Sequence, residues 1–338
     1  MKLSMMHQKR KIPLSVLELA TVIQGGDSAL AIANTVAVAR HAESLNYRRF
    51  WMAEHHNMKH IASSATSVLI GHVAGKTNQI RVGSGGIMLP NHSPLVIAEQ
   101  FGTLETIYPG RIDLGLGRAP GTDQLTAMAL RRNNMDTSYN FPADVKQLQT
   151  YFRHENATAK VRAFPGEGLD IPLWILGSST DSAYLAAQMG LPYAFAAHFA
   201  PAQFRMAIEI YRNNFKPSGQ LDSPYVMACV NVIGADSDEE AEFLKSSLIR
   251  LFNGIITNTR SPLMPPGELP ESYRNPDVRA FVNSMLACTF TGSRNTLRTN
   301  LSAFIAETGI DELMAASYIF DFEAKLKSFT ILHEALNT

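Results

Sequence analysis

The chain is 338 residues long, with 46% hydrophobic and 18% charged residues, a balance that belongs to a folded globular protein and excludes disorder as its dominant state. Thirty Lys+Arg against 30 Asp+Glu give zero net charge, which removes the electrostatic case for nucleic acid or an anionic membrane as the main partner. Two cysteines, Cys229 and Cys288, supply neither a disulfide framework nor a Cys-x-x-Cys metal site, and the chain fits a reducing cytoplasm.

At the N-terminus Lys9, Arg10 and Lys11 precede an apolar run, 12–23. That run contains Glu18 and lacks a small-x-small cleavage site, so it reads as a first strand rather than a signal peptide. No stretch of 18 apolar residues occurs, and no membrane span is expected. Short apolar runs bounded by Gly, Pro or polar residues predict strands at 13–20, 49–53, 80–89, 111–117, 172–176, 193–197, 225–233 and 312–319. Helices lie between them. Asp27 or Ser28 can cap the first, Ser93-Pro94 opens another that Pro109-Gly110 stops, Ser237 and Glu240 form a capping box, and Asp321 caps the closing helix, 322–336. Eight strand–helix units in one chain of this length predict a single (β/α)8 TIM barrel over 1–338. An open doubly wound sheet is the rival, but strand 1 is followed by no phosphate fingerprint.

Two stretches break the rhythm. The segment 118–140 is long and carries Arg131-Arg132-Asn133-Asn134. The segment 253–283 holds Pro262, Pro265, Pro266, Pro270 and Pro276, which preclude a long helix, and it forms an insertion between strand 7 and strand 8 with the makings of a lid.

In such a barrel the reactive groups sit at the C-terminal ends of the strands. Strand 2 delivers Glu54-His55-His56-Asn57 there, strand 3 passes through Gly83-Ser84-Gly85-Gly86, strand 4 ends at Gly115-Leu116-Gly117-Arg118, and strand 5 at Gly177-Ser178-Ser179-Thr180-Asp181-Ser182. Glycine and hydroxyl residues opening a helix provide N–H groups and short donors for phosphate, although Ser and Thr are also the ordinary capping residues. The glycines of strands 3 and 4 leave room for a flat ring, or else mark bulges and tight packing. Glu54, His55, His56 and His60 match no helical zinc spacing, so no metal site is expected. One histidine of the His55–His56 pair faces the mouth and can act as acid, base or donor.

These residues resemble a known family. Trp51-Met52-Ala53-Glu54-His55-His56, the run 82–90, Pro109 to Gly115, Leu176-Gly177-Ser178-Ser179, Gln188 to Pro192 and Thr291-Gly292-Ser293 are similar to bacterial luciferase-like flavin-dependent monooxygenases over essentially the whole chain. The resemblance implies a barrel that takes reduced FMN at the strand C-termini and uses O2 on a small organic substrate, with electrons from NAD(P)H or a separate flavin reductase. It assigns His55 to the flavin oxygen chemistry, Gly85 and Gly86 to a cis peptide beneath the flavin ring, and Ser178, Ser179, Ser182 and Arg118 to the phosphate. It further implies a homo-oligomer. Gly117 stands where luciferase carries a cysteine, a departure that argues against light emission. A deazaflavin-dependent hydride-transfer enzyme and a flavin-binding protein without turnover are the competing expectations. Should His55 be structural, His56 or His198 is next in line.

Overall fold

A computed structural model describes residues 11–119, 121–130, 140–154 and 158–337. Among them nine strands form: β1 (Leu14–Glu18), β2 (Arg49–Met52), β3 (Arg81–Met88), β4 (Ile112–Gly117), β5 (Leu173–Gly177), β6 (Tyr193–Phe195), β7 (Val226–Gly234), β8 (Thr289–Gly292) and β9 (Glu312–Ala316). The helices are α1 (Ser28–Ser44), α2 (Thr66–Ala74), α3 (Pro94–Ile107), α4 (Gln124–Leu130), α5 (Phe141–Phe152), α6 (Thr180–Met189), α7 (Phe204–Asn214), α8 (Asp238–Ile256), α9 (Pro276–Met285), α10 (Arg294–Thr308) and α11 (Phe322–Asn337). No helix among the described residues is long and apolar enough to cross a membrane.

Every strand pairing is parallel. β1 to β7 pair in sequence, β7 pairs with β9, and β9 returns to β1. That ring is a closed (β/α)8 barrel, and the β6–β7 and β9–β1 pairings exclude the open sheet. All eight expected strands are its staves. The ninth, β8, is a short extension pairing with the last residues of β7, Asn231 to Gly234, and it starts at Asn231, where the pairing of β7 with β9 ends. Its four residues, three of them half-exposed, carry no apolar run, which is why the sequence pattern does not announce it.

Three of the expected caps form, while Ser93 holds the N-cap position of α3 without a side-chain capping bond. Asp27 Oδ1 accepts from the Leu30 N–H at 2.8 Å, Ser237 Oγ from the Glu240 N–H at 3.1 Å, and Asp321 Oδ1 from the Ala324 N–H at 2.8 Å. Part of the insertion is more ordered than its prolines suggest. Pro276 occupies the first turn of α9, where its missing N–H costs nothing, and Asn275 Oδ1 caps that helix through the Asp277 N–H at 2.9 Å. Between α8 and α9, Leu263 is buried and its N–H and carbonyl bond Val22 and Gln24 beside β1. In the segment after β4, α4 covers residues 124–130; Arg131-Arg132-Asn133-Asn134 lies outside the described residues.

Strand periodicity sorts the side chains into two cores. Val16, Phe50, Met52, Val82, Leu114 and Ile175 point out to the helices, whereas Leu17, Trp51, Trp174, Met227 and Met314 point into the barrel. At the N-terminal end of the barrel the inward residues are charged. Arg49 Nη1 donates to Asp113 Oδ2 at 2.6 Å and Arg49 Nε to Glu312 Oε1 at 3.1 Å, while Arg81 Nη2 reaches Asp113 Oδ1 at 2.7 Å. Trp51 Nε1 donates to Asp113 at 3.1 Å, Tyr225 OH to Glu312 at 2.7 Å, and Ser15 Oγ also bonds Glu312. Burial alone would raise the Asp113 pKa, but the Arg49 and Arg81 charges outweigh it and hold the carboxyl below its ordinary range.

Removing one partner of such a buried network leaves uncompensated charge, so Asp113→Asn is expected to lower unfolding free energy by about 3–5 kcal/mol at neutral pH. Because the folded-state pKa is depressed, this contribution is complete above an unfolded value of about 3.9 and is lost as pH falls through the folded one. Urea titrations at neutral pH and near pH 3 should therefore show the gap between the two proteins shrinking in acid; a pH-independent gap would refute the charge assignment.

Candidate active site

At the C-terminal end of the barrel lies a cavity of about 590 Å3. Its walls come from the ends of most strands: Leu17 of β1 and Leu19 just after it, Ala53 and His55 after β2, Gly85 and Met88 of β3, Gly117 and Arg118 from β4, Leu176 to Ser179 from β5, Ala196 and His198 after β6, and Tyr318 after β9. Leu251, Phe252 and Ile255 of α8, with Arg260 beyond it, complete the lining on the side of the insertion.

His55 shares the inward parity of Arg49, Trp51 and Ala53, so strand geometry carries its ring to the mouth. Its Nδ1 lies 3.1 Å from the Gly121 carbonyl oxygen. A carbonyl only accepts, so Nδ1 carries the proton and Nε2 is the basic nitrogen. Burial depresses its pKa first; the Gly121 carbonyl and Glu54 counteract this, while His56 and Arg260 add to it. The imidazole is thus neutral at neutral pH, and among the described residues Nε2 has no hydrogen-bond partner.

Of the neighbouring residues of opposite parity, Glu54 lies behind the cavity lining, while His56 stays at its edge. Glu54 is buried and accepts from the Met88 N–H at 3.0 Å, Asn91 Nδ2 at 3.2 Å, His92 Nε2 at 2.9 Å and His56 Nε2 at 2.8 Å. Burial alone would raise its pKa, yet the bonds from His92, His56 and Met88, with the His92 charge, hold it below the ordinary value. Glu54, His56 and His92 are the one group among the described residues with metal-ligand atoms close together, and the separations are those of hydrogen bonds. His60, the third nitrogen weighed from sequence, is not in that group; it is buried and lines the cavity with Arg260.

Across the barrel, the turn from β5 into α6 presents Ser178, exposed at the mouth, and Ser179, the N-cap residue, whose side chain makes no capping bond. The first-turn N–H groups of α6 have no carbonyl four residues back, the usual anion-binding end of a helix. Gln203 Oε1 takes the Thr180 N–H at 3.1 Å. Ser182 is buried behind the turn and its hydroxyl is engaged, donating to the Ser179 carbonyl at 2.7 Å and meeting Tyr193 OH at 2.9 Å. Arg118 hangs over the same helix end, its guanidinium 3.3 Å from the exposed Asp181 carboxylate. The Gly85–Gly86 peptide is cis; Gly85 lines the cavity, whereas Gly86 backs onto the Gly115 carbonyl, 2.7 Å from where a Cβ would stand.

Sequence reasoning thus brought His55, Gly85, Arg118, Ser178, Ser179 and Ser182 to one cavity. It missed His92, which no spacing links to Glu54, and Arg260, which the insertion brings in from beyond the strand ends. His198 follows the rule of strand ends: it directly succeeds the sixth predicted strand, its Nδ1 is buried without a partner, and burial, then the His55 charge, push its pKa down to about 4.

The family model of the luciferase-like monooxygenases matches residues 14–311, and the chain belongs to that family of oxidoreductases. It is 48% identical to a luciferase-like monooxygenase of Escherichia coli over 95% of this chain and 96% of that one. It is 39% identical to the N-acetyl-S-alkylcysteine monooxygenase of Bacillus subtilis over 55% of this chain and 57% of that one. The crystal structure of apo-MsnO8 superposes with a TM-score of 0.86 at 33% identity, covering 96% and 98% of the two chains. The fold alone is shared with two distant structures. One is an FMN complex of the oxygenating constituent of 3,6-diketocamphane monooxygenase, with a TM-score of 0.73 at 16% identity. The other is an F420-dependent secondary alcohol dehydrogenase, with a TM-score of 0.69 at 13% identity.

The imidazole geometry sets an observable. Nitrogen-15 NMR at neutral pH should find His55 neutral in the Nδ1–H form, protonating only below the ordinary histidine range of about 6.5. An Nε2–H tautomer, or titration at or above that value, would contradict the assignment.

Proposed function

We propose that the chain is an FMN-dependent monooxygenase acting with O2 on a small organic substrate. The observation that carries the reading is one cavity bordered by the N-terminal end of α6, which follows β5, and by a neutral, singly committed histidine just after β2. The monooxygenase names of the relatives support the reaction class, and the FMN complex of a distant neighbour supports the cofactor. Ser178, Ser179, the opening N–H groups of α6 and Arg118 fit a terminal phosphate, with Ser182 fixing the turn from behind. The cavity wall of Leu17, Ala53, Gly85 and Leu176 suits a flat apolar ring.

Reduced FMN would supply the electrons that activate O2, one oxygen atom passing to the substrate and the other leaving as water. The protein's own part is to bind the phosphate, keep the ring against the β-strand ends and exclude water. His55 Nε2 is placed to accept or return a proton at the reacting edge, and the Gly121 carbonyl fixes the ring that does so. The insertion 253–283 serves as the lid, anchored at Leu263 rather than hinged freely.

Arg118→Ala removes a charge-assisted contact of about 1.5–3 kcal/mol and is expected to weaken FMN binding at least about tenfold without loss of fold. An unchanged dissociation constant, measured by flavin fluorescence, would sink the phosphate assignment. His55→Asn should keep most of the flavin affinity and slow substrate oxidation by roughly 10²-fold. Stronger binding of the deazaflavin than of FMN in the same titration would support hydride transfer instead.

The lid carries its own expectation. Trypsin should cut the native protein first at Arg260 or Arg274, both exposed, and saturating FMN should slow the cut. Cleavage elsewhere in the described chain before these sites would mean the insertion is a fixed part of the wall.

A further inference from the structure

Two arginines line the cavity, and they are not alike. Arg118 is engaged by Asp181 at the helix end. Arg260 has no carboxylate and no hydrogen-bond partner among the described residues. The acidic residue in the cavity lining is committed elsewhere, since Asp123 accepts from Thr126 Oγ1 at 2.7 Å and from its N–H at 3.0 Å; Glu54, behind the lining, faces His56 and His92. Burial lowers the pKa of His60, and the Arg260 charge presses it down further; the same charge is felt by His55. The guanidinium therefore stands within electrostatic reach of both imidazoles, inside the rim of the cavity.

Its backbone is held from both sides. Upstream, the Thr259 N–H bonds the Gly254 carbonyl at 2.8 Å, closing the turn after α8. Downstream, Leu263 is 2% exposed, donates to Val22 at 2.9 Å and accepts from Gln24 at 2.8 Å. The same cavity has an apolar stretch of wall: Leu251, Phe252 and Ile255 from α8, the helix that leads to Arg260, Phe199, whose ring lies 6.3 Å from that of Phe252, and Ile61. A cation without a counter-charge beside an apolar wall, in a cavity whose other arginine is already paired, is complementary to a ligand with an anionic head and an apolar body.

We propose that Arg260 and this apolar wall form the substrate subsite, and that it takes an organic carboxylate with an alkyl or aryl body. Neutral apolar molecules of the same size would satisfy the wall and leave the guanidinium unmatched. The carboxylate would also sit beside His60 and His55, whose neutral imidazoles can donate no second positive charge and so leave Arg260 as the recognising cation. The inference rests on the monooxygenase reading only for the fate of the ligand; binding itself does not depend on it.

The test is calorimetric titration of the full chain with 4-phenylbutyrate and octanoate against 4-phenylbutanol and octanol. It is run once with saturating FMN and once without flavin in saturating inorganic phosphate, which keeps the acids off the Arg118 end. The acids are expected to bind roughly tenfold or more tightly than their alcohols. Arg260→Gln should bring each pair to near equality, and Arg260→Lys should keep part of the preference. Arg260 is exposed, so folding is not at stake, and circular dichroism of each variant checks this. Equal affinity of acid and alcohol, absence of acid binding, or a preference that survives Arg260→Gln would each overturn the proposal. A preference that persists in protein unable to bind FMN would overturn the cofactor reading and leave the anion subsite standing.

Discussion

The barrel is closed at one end by charge. Arg49 lies between Asp113 and Glu312, with its guanidinium also 4.7 Å over the Trp174 ring, and ties β2 to β4 and β9 across the interior. Ionised groups so far from water persist only when every one is matched, and here Arg81, Trp51, Tyr225 and Ser15 complete the matching. With the N-terminal layer filled in this way and the next layer filled by Trp51, Trp174 and Met227, the cavity opens toward the C-terminal ends. The position of the cavity is thus a consequence of what plugs the other end, and any chemistry must come from strand ends and the loops beyond them.

The layering also settles what the glycines do, level by level. A Cβ on Gly83 would stand 2.6 Å from the Asp113 carbonyl oxygen and 2.9 Å from Trp51 Nε1, and one on Gly115 would stand 2.2 Å from the Ser84 carbonyl oxygen. Those two glycines exist so that adjacent strands and an indole fit inside the barrel, which is the packing explanation rather than the room for a ring. Two residues further along, Gly85 and Gly117 line the cavity, and there a Cβ would meet the Leu17 and Met88 side-chain ends at 2.7 Å. Within one strand the same residue type serves packing below and opening above. The register shift between Gly85 and Ile87 marks the place where β3 changes from one task to the other.

How much of this could be read from sequence follows from what each feature depends on. The strands were legible because burial on both faces forces continuous apolar runs, and the caps because their hydrogen bonds are local. His55 was legible by parity, since a period of two from Arg49 through Trp51 fixes its side once the strand is known. The floor network was not: Arg49, Asp113 and Glu312 are separated by 64 and 199 positions, and only barrel closure brings them together. Arg260 was hidden for the same reason, because a proline-rich segment has no period from which its direction can be read.

Glu54 joins these two halves of the site. Strand parity sends it outward from the barrel while sending His55 inward, and its four hydrogen bonds tie the end of β2 to the end of β3 and to the turn holding Asn91 and His92. A histidine on a loop could adopt many rotamers; one that follows a buried, fully bonded carboxylate has its backbone fixed before its ring makes any contact. The Gly121 carbonyl then needs to select only the tautomer. On the opposite side Ser182 and Tyr193 play the corresponding part, filling the space behind Gly177 so closely that a Cβ there would stand 1.9 Å from Ser182 Oγ. Both ends of the cavity are therefore positioned by buried polar groups whose hydrogen bonds are spent within the protein. The side chains that face into it, Ser178, His55 and Arg260, are left with donors and acceptors to offer a ligand.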